Sequence, residues 1–383
     1  MALLLQRQGF AVTVVERAPS LRSTGQNIDV RGTGREVVQR MGLEDAVRAA
    51  GTGEVGLRFV GEHGRSIAEF PVGDSPTGDG PTAELEILRG DLARILVEAS
   101  GDSVDYRYGT HIESVEQDAS GVNVTFVDGT TARCDLLIVA EGIRSTTRNT
   151  VLDASPDYRD LGLYTAYFTV PRTADDDRWW RWYSTTGGRS VHLRPDNVGT
   201  TRASLTYRSE PTGLDGLDRQ AQVRALAEIF TGVGYAAPRL LADLARDPSS
   251  LYLDRIAQVR LPVWSKGRVA VVGDAAYCAT PISGMGASLA LTGAYLLAGE
   301  IATNSHHQAA FAAYETRMRP IVDKAQTLPP GVPGLANPLS RLGVGFFRTA
   351  VRLGASAPAR ALAGRFASSL PAESGPTLPD YFA

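Results

Sequence analysis

The stretch Arg268-Val-Ala-Val-Val-Gly273-Asp274-Ala-Ala-Tyr-Cys-Ala-Thr-Pro281-Ile-Ser-Gly284-Met-Gly286-Ala287-Ser-Leu-Ala-Leu-Thr-Gly-Ala-Tyr-Leu-Leu-Ala-Gly-Glu-Ile301 decides the fold. Val269 to Val272 reads as a short buried strand, Gly273-Asp274 ends it, and Gly284 and Gly286 stand before an apolar run of helical length. The order is strand, turn, loop, helix. Glycines in such a loop let backbone approach a ligand closely, and the helix start offers unpaired N–H groups and the positive end of a dipole. Asp274 lies where an open α/β sheet places ligand contacts, at the carboxyl end of a strand, and its carboxylate can accept hydrogen bonds from sugar-like hydroxyls.

Gly273-Asp274-Ala275-Ala276, with Pro281 and the Gly284-Met285-Gly286-Ala287 loop, resembles the second FAD motif of the class A flavoprotein monooxygenases, the para-hydroxybenzoate hydroxylase type. The resemblance implies that Asp274 binds the ribityl chain, and that the proline and the glycine loop lie against the flavin ring. The family's usual histidine after this motif is here Tyr277. Three more segments fit in the expected order. Val12-Thr-Val-Val-Glu16-Arg17 reads as a strand ending in an acid, from which a Rossmann unit holds a ribose hydroxyl; Glu16 and the adjacent Arg17 are candidate cofactor contacts. Leu88-Arg89-Gly90-Asp91 resembles a helix start whose arginine, Arg89, reaches the flavin cofactor. Asp135 to Arg148 resembles the family's Asp-Gly motif, which serves both FAD and the nicotinamide cofactor, with Glu141 in place of the aspartate. Gly25-Gln26-Asn27-Ile28-Asp29-Val30-Arg31-Gly32 resembles a strand of the tetracycline-inactivating monooxygenases, which implies that Asp29 contacts FAD and Arg22 contacts NADPH.

A G-x-G-x-x-G fingerprint is expected about 20 residues before the ribose-binding acid. Glu16 has only fifteen residues ahead of it, and the fingerprint is absent. Ala2 to Gln8 reads as the tail of the first Rossmann helix with Gly9 as its C′ residue, so the opening strand is also expected to be missing, through a start codon placed too far downstream or through truncation.

At 383 residues, 43% hydrophobic and 21% charged, the chain is long enough for two domains with sizeable cores. A net charge of −3 gives no nucleic-acid footprint, and Cys134 and Cys278 lack metal-ligand or disulfide spacing. With no secretory signal and no span-length apolar run, a cytoplasmic protein without membrane contact is expected, as a monomer or weak homodimer. The fold class is α/β: a Rossmann-like FAD-binding domain (1–57, 86–155, 256–325) interleaved with an antiparallel β-sheet substrate domain (58–85, 156–255), then a C-terminal helical segment (326–383). Val122 to Thr130 reads as a hairpin turning at Asp128-Gly129. Short β-rich runs separated by Gly, Pro and Asp fill 156–255, with Leu57 to Phe70 joining that sheet.

Three further signals read as structural. Trp180-Arg181-Trp182 is expected to pack, Asp175-Asp176-Asp177 to form a solvated turn, and His306-His307 to open a solvated loop or helix. Leu339 to Phe347 could lie on a membrane surface, but packing over the domain junction is the commoner outcome for an amphipathic tail and is expected here.

The resemblance implies an FAD-dependent monooxygenase that hydroxylates an aromatic or polyketide-like small molecule with NADPH or NADH and O₂. The cofactor carries that chemistry while the protein supplies placement and dry surroundings, so no obligatory protein nucleophile and no metal are expected. Two alternatives remain open: a flavin reductase or dehydrogenase without oxygen transfer, and a non-catalytic remnant that binds ligands or a partner without FAD.

Overall fold

The computed structural model describes residues 1–22, 25–73, 80–328, 331–356 and 377–382. The chain runs through α1 (Ala2–Arg7), β1 (Val12–Glu16), β2 (Asn27–Asp29), α2 (Gly32–Arg40), α3 (Glu44–Ala49), β3 (Gly56–Val60) and β4 (Ser66–Pro71). It continues through β5 (Glu86–Leu88), α4 (Arg89–Ser100), β6 (Val104–Tyr108), β7 (Ile112–Gln117), β8 (Val122–Phe126), β9 (Thr131–Cys134), β10 (Leu137–Val139) and α5 (Thr146–Val151). The middle of the chain is β11 (Asp157–Pro171), β12 (Trp180–Thr185), β13 (Arg189–Pro195), β14 (Thr200–Arg208), α6 (Arg219–Ile229), α7 (Ala237–Arg246) and β15 (Tyr252–Arg260). The last third holds β16 (Ser265–Lys266), β17 (Val269–Val271), α8 (Asp274–Tyr277), α9 (Gly286–Thr303), α10 (His307–Gln326), α11 (Val332–Ala336) and α12 (Arg341–Gly354).

Two parallel ladders form the α/β part: β1 pairs with β6, and β10 pairs with β17, whose other edge carries β16. Short apolar strands buried on both faces are what parallel ladders require, and all three residues of β17 are buried. Among the described residues β1 and β10 do not pair with each other, so the parallel sheet stands in two pieces. As expected from its sequence, α1 ends at Gln8, with Gly9 in the left-handed region at φ +81°. The Asp128-Gly129 hairpin also forms: Thr130 N–H donates to the Asp128 carboxylate and Gly129 takes φ +78°.

The antiparallel part is one seven-stranded sheet in the order β15-β11-β14-β13-β12-β3-β4. Strand alternation gives it two unlike faces. Tyr164, Ala166, Phe168, Val191, Leu193, Ala203 and Leu205 point to one side and pack with Leu226, Phe230 and Leu240 of the α6–α7 region. Tyr167, Thr169, His192, Arg194, Arg202 and Ser204 occupy the alternate positions. The domain boundaries expected at 57/58 and 255/256 fall inside β3 and β15, because the ladder carries β3 from Gly56 and β15 to Arg260.

The larger core lies under the parallel strands and is centred on α9, which is buried almost all round and packed against α2 and α10. An all-round apolar helix requires this placement. The Trp180-Arg-Trp182 run packs as expected, the two rings stacking 5.7 Å apart over β3. His306 caps α10 from an exposed position.

The acidic run differs from expectation. Asp176 is buried against the Arg239 guanidinium at 2.9 and 3.0 Å, and Asp177 pairs with Arg58 and Arg181. A run of three acids carries no record of distant arginines, and these come from β3, β12 and α7. Pro329 and Pro330 lie outside the described residues, as does much of the C-terminal segment. Within that segment α11 and α12 form; Val344 and Phe347 are buried on the inner side of α12, and Phe347 packs on Phe59 of β3, so α12 covers the β12-β3-β4 end of the seven-stranded sheet rather than a junction between domains.

Candidate active site

The turn after β17 is built as its sequence requires. Gly273 takes φ +69°, which lets the chain double back so that Asp274 opens the single-turn helix α8. Asp274 retains open surface although protein surrounds it, as a carboxylate in a re-entrant cleft does. Desolvation there pushes its carboxyl above the ordinary value, and the Arg89 guanidinium pulls in the opposite direction. Arg89 is exposed at the first position of α4, and its charge acts on Asp274 although 185 positions separate them.

Tyr277 turns away from this cleft. It is buried, its ring lies 4.8 Å from Trp264, and its hydroxyl sits 3.1 Å from that of Tyr314. The departure from histidine therefore lies in the core under α9 and α10.

The loop after α8 carries backbone strain. Thr280 has φ +85°, a region rarely taken by a β-branched residue. Its carbonyl accepts from both the backbone N–H and the hydroxyl of Ser283. Pro281 opens the 3₁₀ turn that follows, and Gly284 closes it at φ +63°. Gly286 and Ala287 then begin α9, whose first N–H groups have no intrahelical acceptor. Ser288 ties this start to the rest of the site, its hydroxyl accepting from Arg31 N–H at 2.9 Å.

Arg31 also donates to Asp29 at 2.8 Å, and from Asp29 the contacts run into the seven-stranded sheet. Arg194 of β13 donates twice to Glu54, at 2.7 and 2.9 Å, and lies 3.5 Å from Glu86 and 3.8 Å from Asp29. Its guanidinium stacks 4.5 Å from the Trp180 ring. Burial works against the Arg194 charge, but Glu54, Glu86 and Asp29 together outweigh burial and raise its pKa. Burial pushes the Glu86 carboxyl up to about 7 despite Arg194, and raises Glu54 as well. Next along the face, His192 is driven down to about 3, first by desolvation and then by Arg194, and its Nε2 lies 3.0 Å from the Ser190 hydroxyl.

The remaining expected residues are distributed as follows. Glu16 ends β1 with Oε1 accepting the Ala18 N–H at 2.7 Å, and Arg17 beside it is exposed. Arg22 is exposed next to residues outside the described set. Glu141 commits both carboxylate oxygens to the start of α5, accepting from the Ser145 hydroxyl, the Thr147 hydroxyl and the Thr147 N–H. The fully buried Arg148 links that motif to the Asp274 turn, donating to the carbonyls of Ile143 and Ala275.

Asp274, Arg89 and the 281–287 loop thus adjoin the Asp29–Arg31 strand end, while Glu141 serves its own helix. Sequence reading missed Arg194, Glu54, Glu86 and His192. Their only sequence signal is the polar alternation of His192 and Arg194 in β13; Glu54, in a loop, and Glu86, at the start of β5, carry none, and nothing local connects Arg194 to Glu54 across 140 residues.

A family model described as FAD binding domain matches residues 1–327. The chain is 39% identical over 412 residues to the flavin-dependent monooxygenase eupH of Phoma sp, covering 100% of this chain and 94% of that protein. Among solved structures it is similar to the tetracycline destructase Tet(51), with TM-score 0.80, 28% identity, and 99% and 95% of the two chains covered. HpxO of Klebsiella pneumoniae, solved with FAD and uric acid, shares the fold at TM-score 0.75 and 24% identity over 97% of this chain and 94% of that one.

Proposed function

The chain belongs to the FAD binding domain family and is an FAD-dependent monooxygenase, and we propose that it hydroxylates an aromatic or polyketide-like small molecule with NAD(P)H and O₂. The observation that carries this reading is the open Asp274 carboxylate, desolvated by its surroundings and within electrostatic reach of Arg89, beside a glycine loop that starts a buried helix. That donor and acceptor set fits FAD: a carboxylate for polyol hydroxyls, a guanidinium for a phosphate, and free helix N–H groups for an electron-rich ring edge. Glu16 and Arg17 at the end of β1 would serve the adenosine part, and Pro281, Gly284, Gly286 and Ala287 the ring. Asp29, tied to Arg31 and Arg194, holds the strand that faces the loop. Arg22 would take the nicotinamide cofactor's phosphate.

The chemistry supplied by bound FAD is two-electron reduction by NAD(P)H and transfer of one oxygen atom of O₂. The protein's own part is placement and exclusion of water. The polar and aromatic face of the seven-stranded sheet, with Trp180, Trp182, Tyr167 and His192, is the wall against which a flat substrate would lie. Its charge is already paired internally, which suits a neutral or weakly acidic ring system. The likeness to a tetracycline destructase supports a fused-ring substrate. On this reading the sheet and the segment packed behind it form the substrate unit, and the parallel ladders with α9 form the FAD unit.

Incubation with FAD, NAD(P)H, ¹⁸O₂ and a panel of phenols and polyketides tests the proposal. One ¹⁸O atom in the product is expected. NAD(P)H consumption that yields only hydrogen peroxide across the panel would instead favour a flavin reductase.

A further inference from the structure

Helix α12 is amphipathic twice over. At ~100° per residue, Val344, Phe347 and Val351 share one face, from which Phe347 and Val351 pack against Phe59, Phe70 and Trp182 while Val344 is buried beside them. Leu342, Phe346 and Leu353 fall together on the opposite face, where they are 88%, 66% and 64% exposed. Arg341, Arg348 and Arg352 fall within a sector of about 40° along one flank between these faces. Leu339, just before the helix, is also 59% exposed. Large apolar side chains projecting this far from a helix that already has its packing partner are not explained by the fold.

The sequence flanking the helix is also one-sided in charge. From Lys324 to Pro371 the sequence has no Asp or Glu, but it holds Lys324, Arg341, Arg348, Arg352, Arg360 and Arg365. The chain as a whole has 42 acidic against 39 basic residues, so this segment opposes the charge of the rest. The geometry points to α12 as a docking surface for an anionic lipid bilayer: Leu342, Phe346 and Leu353 enter the headgroup boundary while the arginine flank meets lipid phosphates. An apolar stripe beside a basic flank is what an interfacial helix needs, and no described helix is long and apolar enough to cross a membrane. Because the inner face of α12 rests on Trp182 and Phe59, α12 would stand between the bilayer and the sheet assigned above to substrate; this last point alone rests on the proposed function.

Cosedimentation of the full chain with phosphatidylcholine vesicles, with and without phosphatidylglycerol, decides it. Binding is expected to the anionic vesicles only, and to weaken as salt is raised. Leu342→Glu/Phe346→Glu should lower the partition coefficient at least tenfold, and Arg341→Gln and Arg352→Gln by about fivefold each, from roughly 1 kcal/mol per surface cation. The urea midpoint of the double variant should match the parent, since neither side chain packs. No binding to anionic vesicles at low salt overturns the proposal, as does equal binding by the double variant. A double variant that loses stability would show the face covered by the chain's own segments. One that abolishes a dimer would show it covered by a second copy.

Discussion

Two side chains carry separable expectations. Asp274 has an open carboxylate beside Arg89, and a hydrogen bond to a charged group contributes about 1.5 to 3 kcal/mol. Asp274→Ala should therefore weaken FAD binding by roughly one to two orders of magnitude in a flavin-fluorescence titration; equal affinity in mutant and parent would remove Asp274 from the site. His192 is, with Glu86, a pH-sensitive member of the site. Its folded pKa is about 3 against an ordinary 6.5, so below pH 6.5 the unfolded chain takes up a proton that the folded chain refuses. Stability is then unpenalised above pH 6.5 and falls by about 1.4 kcal/mol per pH unit as pH drops towards 3. Urea midpoints of the parent and His192→Asn should diverge from pH 6.5 downward, the variant declining less steeply; parallel curves would mean that the ring is not desolvated.

At the scale of elements, two glycines fix how α9 sits. A Cβ at Gly34 of α2 would come within 2.6 Å of the Ser288 Cα, a backbone atom that cannot rotate aside. Gly34→Ala should push the start of α9 and its loop out of place, costing about 1 to 3 kcal/mol of stability and weakening FAD binding as well. A thermal scan and a flavin titration on one variant check both, and retained flavin affinity would uncouple the loop from α2. Gly293, about two turns past the start of α9, lies against the Tyr277 hydroxyl, which a Cβ would overlap. Gly293→Ala should destabilise, and Tyr277→Phe in the same chain should recover part of the loss. Additive losses would deny the contact.

Across the whole molecule, the Arg194 cluster is the electrostatic joint between the antiparallel β2–β5 pair and the seven-stranded sheet. Removing its cation leaves Glu54, Glu86 and Asp29 buried without their common partner, which costs about 3 to 5 kcal/mol for a buried pair broken on one side. Arg194→Met should lower the urea midpoint accordingly, and adding Glu54→Met should restore part of it; a loss below about 1 kcal/mol would place the cluster in solvent. The sequence alone determined what depends on neighbours along the chain. Strand, Gly273 turn, glycine loop and apolar helix are contiguous, so their burial period and backbone demands are written within 34 residues, and the Asp128-Gly129 hairpin and the end of α1 at Gly9 are equally local. Only the tertiary structure decided which charges meet. Asp176 with Arg239 and Arg194 with Glu54 are pairings across long chain separations, and Asp274 comes within electrostatic reach of Arg89 across a longer one. An isolated strand fixes the face on which a side chain lies but carries no record of the element opposite, and the desolvation that moves Glu86, His192 and Asp274 from their ordinary pKa values arises only when those elements close over them.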